Sequence, residues 1–132
     1  MATRRREPRW LTRRMLDATH DAQIREHGGT AGVRDDALLE SALARPRHKY
    51  AAARHRDRAT LAAAYAFGLA KNHGFVDGNK RTAFMAAYVF VVLNGGDIDA
   101  TEPEVVAAME GVAAGLETEA AVAQWFRDHI RL

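Results

Sequence analysis

No cysteine occurs in the 132 residues. That excludes a disulfide scaffold, a thiol nucleophile and a thiolate metal site. No HExxH spacing links the six histidines, which argues against a metal hydrolase of that type. Long apolar runs are missing as well. The longest, Ala83 to Leu93, falls well short of the ~20 residues that cross a bilayer. The arginines near the N-terminus are not followed by an apolar stretch. No secretory leader is therefore expected, and the cytoplasm is the expected location. What remains is a soluble globular balance, 48% hydrophobic and 27% charged. A chain of this length buries a sizeable core without cross-links. The expected organisation is a flexible basic arm over residues 1–9 and a single domain over 10–132.

The net charge of +2 hides an alternation. Residues 1–14 hold six Arg and one Glu, and residues 45–58 hold six basic residues and one Asp. The stretches 15–44 and 59–132 are each net acidic. A nucleic-acid binder more often carries its basic face on the folded body. Two short basic segments on an acidic body fit solvated segments or contacts with acidic partners.

Hydrophobic spacing yields about six helices and no strand, so the expected fold class is all-α. The first runs from Trp10 to His27 and ends at Gly28-Gly29. Its His20 and His27, seven apart on one helix face, read as surface or core residues. Asp35 or Asp36 caps a second helix, which Pro46 stops. Residues 46–58 then read as an exposed loop. A third helix runs from near Asp57 to His73. The fourth, residues 79–94, is apolar all round and belongs at the centre of a bundle. Thr101-Glu102-Pro103-Glu104 is a capping box with Pro in the first turn. Thr118 can cap a sixth helix.

Polar chemistry collects between the third and fourth helices, at His73-Gly74-Phe75-Val76-Asp77-Gly78-Asn79-Lys80-Arg81-Thr82. A helix N-terminus offers unpaired N–H groups and partial positive charge, so it binds anions. Gly78 lets the backbone approach a phosphate closely. Lys80 and Arg81 add two charges, and Arg can grip phosphate oxygens in bidentate fashion. Asp77 beside a polyphosphate is a natural Mg²⁺ ligand. His73 can take a proton from an incoming hydroxyl, although the C-terminal end of a helix favours its protonated form. Phe75 reads as an apolar anchor. The pattern is not a P-loop: three residues, not four, separate Gly74 from Gly78, and a helix precedes it where a strand is required.

The segment from His73 to Ala83 resembles the Fic/Doc family motif, HxFx(D/E)(G/A)N(G/K)R. Lys80 followed by Thr82-Ala83 looks like the Doc, or death-on-curing, branch. Trp10-Leu11-Thr12, His20-Asp21, Gly28-Gly29, Gly32-Val33-Arg34-Asp35, the stretch from Leu39 to Pro46, Asn94-Gly95 and Asp99-Ala100-Thr101 agree with it. The resemblance implies a Fic fold, ATP and Mg²⁺ as cofactors, and transfer of part of ATP to a target-protein hydroxyl. It makes His73 the general base. Asp77 then holds Mg²⁺ or orients the hydroxyl. Asn79, Lys80 and Arg81 hold phosphates, and Gly78 shapes the cradle.

Two departures separate the chain from AMP-transferring relatives, which have Gly where Lys80 stands and a second Arg where Phe84 stands. Doc-like members transfer the γ-phosphate instead. The resemblance thus implies a toxin of a type II toxin–antitoxin system that phosphorylates elongation factor Tu on a threonine and arrests translation. It also implies a small antitoxin whose flexible segment folds into a groove beside the active site. The family docks targets on a flap before the active-site helix. The basic loop 46–58 takes that place, which makes Arg47, Lys49, Arg54 and Arg56 candidates for recruiting an acidic target. Two alternatives remain open to the sequence: a nucleotidyl-transferring Fic enzyme, and a nucleic-acid-binding regulator using Arg4-Arg5-Arg6.

Overall fold

Side-chain oxygens start most of the helices, and they do so where the sequence places short polar residues. A computed structural model describes residues 7–53 and 57–132, and six helices carry the fold among them. Thr12 opens α1 (Arg13–His27) by accepting from the Met15 N–H. Asp35 accepts from the Leu38 N–H at the start of α2 (Asp36–Ala53). Asp57 caps α3 (Arg58–Asn72), and α4 (Asn79–Leu93) starts on Gly78. The Thr101–Glu104 capping box opens α5 (Glu102–Ala113), and Thr118 opens α6 (Glu119–His129). Each side-chain cap satisfies a backbone donor that a helix start leaves open. One element was not expected. Asp97–Ile98 (β1) pairs antiparallel with Ile130–Arg131 (β2); two residues are too few to show a strand period.

The expected central helix, residues 79–94, is found as α4, yet the most enclosed helix is α3. Every residue from Leu61 to Ala66 is fully buried. Small side chains decide this: the α3 alanines let α2, α4 and α6 pack closely around it. Helix α4 buries Ala83, Ala86, Ala87 and Phe90 on one side. It leaves Phe84, Met85 and Tyr88 half-buried along a cleft.

Pro46 does not stop α2. The helix runs through it to Ala53, although proline removes one helical hydrogen bond. Tertiary contacts hold the far half in place. Arg45 and Lys49 both pair with Glu119 at the start of α6. The Arg47 guanidinium lies 5.6 Å over the Trp10 ring, and Tyr50 meets Trp10 edge-on. Residues 46–53 are therefore helical, not the expected loop. Arg47 and Lys49 are occupied by these contacts, while Arg54 and Arg56 lie outside the described residues.

Residues 7–9, expected in the flexible arm, are strapped down. Asn94 accepts from the Arg9 N–H at 2.8 Å and donates to the Arg9 carbonyl at 3.0 Å. Pro8 is buried. The rest of the arm, residues 1–6, lies outside the described residues.

Candidate functional site

The turn between α3 and α4 is built from its glycines and braced from both sides. Helix α3 ends on His73, a left-handed residue with φ 50° and ψ 48°. Arg34 covers that helix end: its Nε donates to the His73 carbonyl at 2.7 Å and its Nη2 to the Asn72 carbonyl at 3.0 Å. A fixed cation thus sits on carbonyls at the negative end of the α3 dipole. The Gly74 carbonyl accepts from the N–H groups of Arg34 and Asp35. Val33 pairs with Phe75 in a β-bridge, and the Val76 N–H donates to the Gly32 carbonyl. The extended segment beside the motif is therefore residues 32–34. The described part of the stretch expected as a flap, residues 46–53, is helical instead.

Asn79 closes the turn on itself. Its Oδ1 accepts from the Phe75 N–H and its Nδ2 donates to the Phe75 carbonyl, both at 3.0 Å. The carboxamide is committed to shaping the loop, so what Asn79 can offer a phosphate is its backbone N–H. Phe75 is buried, as an anchor should be. Gly78 follows with φ 74°, a conformation that glycine adopts without strain. No side chain caps α4. The N–H groups of Asn79, Lys80 and Arg81 therefore open toward whatever fills the space in front of the helix.

That space is a cleft of about 830 Å³. His73, Asp77, Gly78, Asn79, Lys80 and Arg81 all line it. The sequence-derived set is thus brought to one place. The His73 and Arg81 side chains make no hydrogen bond or ion pair with another described residue. Lys80 reaches across the cleft to Glu110 on α5, 3.6 Å away. Farther along, the walls turn apolar, with Phe84 and Met85 on α4 facing Val105, Val106 and Met109 on α5. The volume falls in the range of small-molecule sites. Phe84 is half-buried and packs against Trp125 and Phe126.

Asp77 is held for use as an anion. Its Oδ2 accepts from the Thr30 N–H at 3.1 Å and its Oδ1 from the Gly78 N–H at 2.9 Å. These two bonds, in that order, draw its carboxyl below the usual carboxylate range, with further help from the Arg81 charge. A carboxylate has about four acceptor positions, so positions remain for a cation. Mg²⁺ takes one or two carboxylates with phosphate oxygens and water, which fits this single ionised group. Among the described residues no group of three or more His, Asp or Glu side chains could hold a metal. A cation here would draw its other ligands from phosphate and water.

The residues that sequence reasoning missed are the braces. Arg34 and His20 fall in stretches that match the family, but nothing in their spacing reveals what they touch. His20, read as a surface or core residue, is buried, and it packs directly on the motif loop. His27, also read that way, lines the cleft. Gln23, buried on the same face of α1, lines it too.

Comparison with known proteins agrees with this geometry. The profile of the Fic/DOC family matches residues 10–91. "Protein kinase doc" of Escherichia phage P1 is 33% identical over 112 residues, covering 85% of this chain and 88% of that protein. "Toxin Doc" of Mycolicibacterium smegmatis is 46% identical over 69 residues, covering 52% of this chain and 53% of that protein. With most of its length matched and the motif residues gathered on one cleft, the chain belongs to the Fic/DOC family.

Proposed function

We propose that the chain is the toxin of a toxin–antitoxin system and acts as a phosphotransferase. In this reading it moves the γ-phosphate of ATP to a threonine hydroxyl of a translation factor, with elongation factor Tu the expected target, and so arrests translation. The observation that carries the reading is the uncapped start of α4 on a cleft that also holds His73, Asp77, Lys80 and Arg81.

Phosphoryl transfer asks mainly for positioning and charge stabilisation. The open N–H groups of Asn79, Lys80 and Arg81 receive phosphate oxygens, and the Arg81 guanidinium adds a full positive charge. Lys80, now paired with Glu110 across the cleft, turns to the polyphosphate when it arrives. Asp77 would hold Mg²⁺, which neutralises charge on the phosphates. The His73 imidazole takes the proton as the target oxygen bonds to the γ-phosphorus. The bond from that phosphorus to the bridging oxygen breaks, and ADP leaves. Lys80 and Phe84 both favour this over nucleotidyl transfer. The apolar walls from Phe84 to Met109 suit an amphipathic segment of a cognate antitoxin laid along the groove.

Parallel incubations with γ-labelled and α-labelled ATP, Mg²⁺ and purified elongation factor Tu test the reading. The γ-label alone should pass to the factor, and His73→Ala should lower the rate by at least about 10²-fold, the scale of general base catalysis. Transfer of the α-label would instead establish nucleotidyl transfer. Equal labelling by wild type and His73→Ala would remove His73 from the role of base.

A further inference from the structure

Among the described residues, His20 is the buried histidine, with 5% of its surface exposed. Its ring lies flat on Phe75, 3.7 Å between centroids and 4° between planes. Its Nε2 is 2.8 Å from the Asp77 carbonyl oxygen. A carbonyl only accepts, so this nitrogen carries the proton. The neutral ring protonated at Nε2 meets that requirement, and the contact needs no charge.

The peptide unit joining Asp77 to Gly78 is thereby held at both ends. His20 takes its carbonyl, and the Asp77 carboxylate takes its N–H. The hold matters because Gly78 follows. Glycine accepts φ of either sign with little steric cost, so this peptide unit can turn over without a clash of side chains at Gly78. Turning over would bring the carbonyl oxygen to the place where the N–H now meets the carboxylate. It would also disturb the first turn of α4. Within the corner only the Asp77 carboxylate favours the present orientation, and His20 is the partner that α1 adds at the carbonyl end. Ile24, four residues along the same helix, adds a steric floor: a Cβ on Gly78 would lie 3.2 Å from its Cδ1.

We propose that His20 is a positioning residue, fixing the Asp77–Gly78 peptide so that the Asp77 carboxylate and the start of α4 both address the cleft. Its consequence for catalysis rests on the phosphotransfer reading; its consequence for the loop does not.

Two variants of the full chain separate its ring from its proton. His20→Phe keeps a flat ring against Phe75 and deletes the donor. His20→Gln gives up the ring and keeps an N–H near the position of Nε2. The first readout is hydrogen exchange at the Gly78 amide, followed by NMR with no substrate present. In His20→Phe that amide should exchange about tenfold faster than in wild type, the scale of one lost hydrogen bond. In His20→Gln it should stay near wild type. The second readout is target labelling from ATP with Mg²⁺, with kcat and KM resolved. The kcat should fall in the same order, with KM for the target unchanged. A packing role alone would reverse the order and leave His20→Phe the better variant, which would overturn the proposal. Unaltered protection of Gly78 in His20→Phe would overturn it equally. If the exchange order holds while wild type labels nothing, the positioning role stands and the phosphotransfer reading falls.

Discussion

Gly74 is the point where the motif loop meets α2 most tightly. A Cβ there would lie 2.4 Å from Leu39 Cδ2 and 3.3 Å from the Asp35 carbonyl oxygen. Leu39 is itself almost fully buried and has little room to move. Gly74→Ala should therefore cost about 1–3 kcal/mol, as overpacking does. Urea denaturation measures it, and an unchanged midpoint would mean that the loop is not clamped to α2. At this scale the sequence reveals chemistry better than connectivity. His73, Asp77, Lys80 and Arg81 stand out because charged and polar groups crowd one helix junction. The part played by the Asn79 side chain is not legible that way: a carboxamide beside a phosphate site suggests a ligand, and only the folded turn brings it to the Phe75 backbone. Arg34 and His20 are hidden for the same reason, since they act on main-chain atoms 39 and 57 residues away in sequence, respectively.

Helix ends were legible where a cap is purely local. Thr101, Glu104 and Thr118 act where their spacing puts them. Pro46 shows the opposite case: a local stop signal is overridden by ion pairs and ring contacts from elsewhere in the chain. The capping box has a second use that spacing could not reveal. Glu104 also pairs with His129 on α6, at 2.8 Å. Partial burial of the His129 ring works against its charge. The Trp125 carbonyl and the Glu104 carboxylate both accept from it, and together they hold its pKa above the ordinary 6.5. Asp128, next in sequence, adds to that. The Glu104 carboxyl is drawn below its ordinary 4.5 by His129 first and then by Thr101. The His129 contribution is complete below pH 6.5 and fades as pH rises through its raised folded value. The Glu104 contribution is complete above pH 4.5 and fades as pH falls through its lowered folded value. The α5–α6 clasp is thus complete between those two pH values. The melting temperature of wild type should exceed that of His129→Gln by most in this window, and the gap should narrow on its alkaline side. A gap that is constant from pH 5 to pH 9 would show that the clasp carries no charge.

Across the molecule, the all-α class and the existence of an apolar helix near the centre follow from periodicity. Which helix lies innermost does not. A run of large apolar residues marks α4, but enclosure goes to α3, whose alanines admit neighbours on all sides. Small residues give a weak hydrophobic signal and close packing at once. Tyr65 on α3 illustrates the result. It is fully buried, and burial pushes its phenol up to about 12, while its oxygen accepts from the Leu11 N–H at 3.0 Å. The strap before α1 is thereby bound to the centre of the bundle, and α1 with the turn that follows it is set in register to brace the motif loop, through His20 on the helix and Thr30 after it. Helix α3 ends at His73, α4 begins beyond Gly78, and the cleft forms between them and α5. The most direct measurement is a titration of the ¹⁵N-labelled chain with ATP and Mg²⁺, followed by NMR. The largest shifts should fall on the amides of Asn79, Lys80 and Arg81, with smaller ones at Asp77 and His73. Saturable binding with its shifts centred anywhere else would contradict a polyphosphate site at the start of α4.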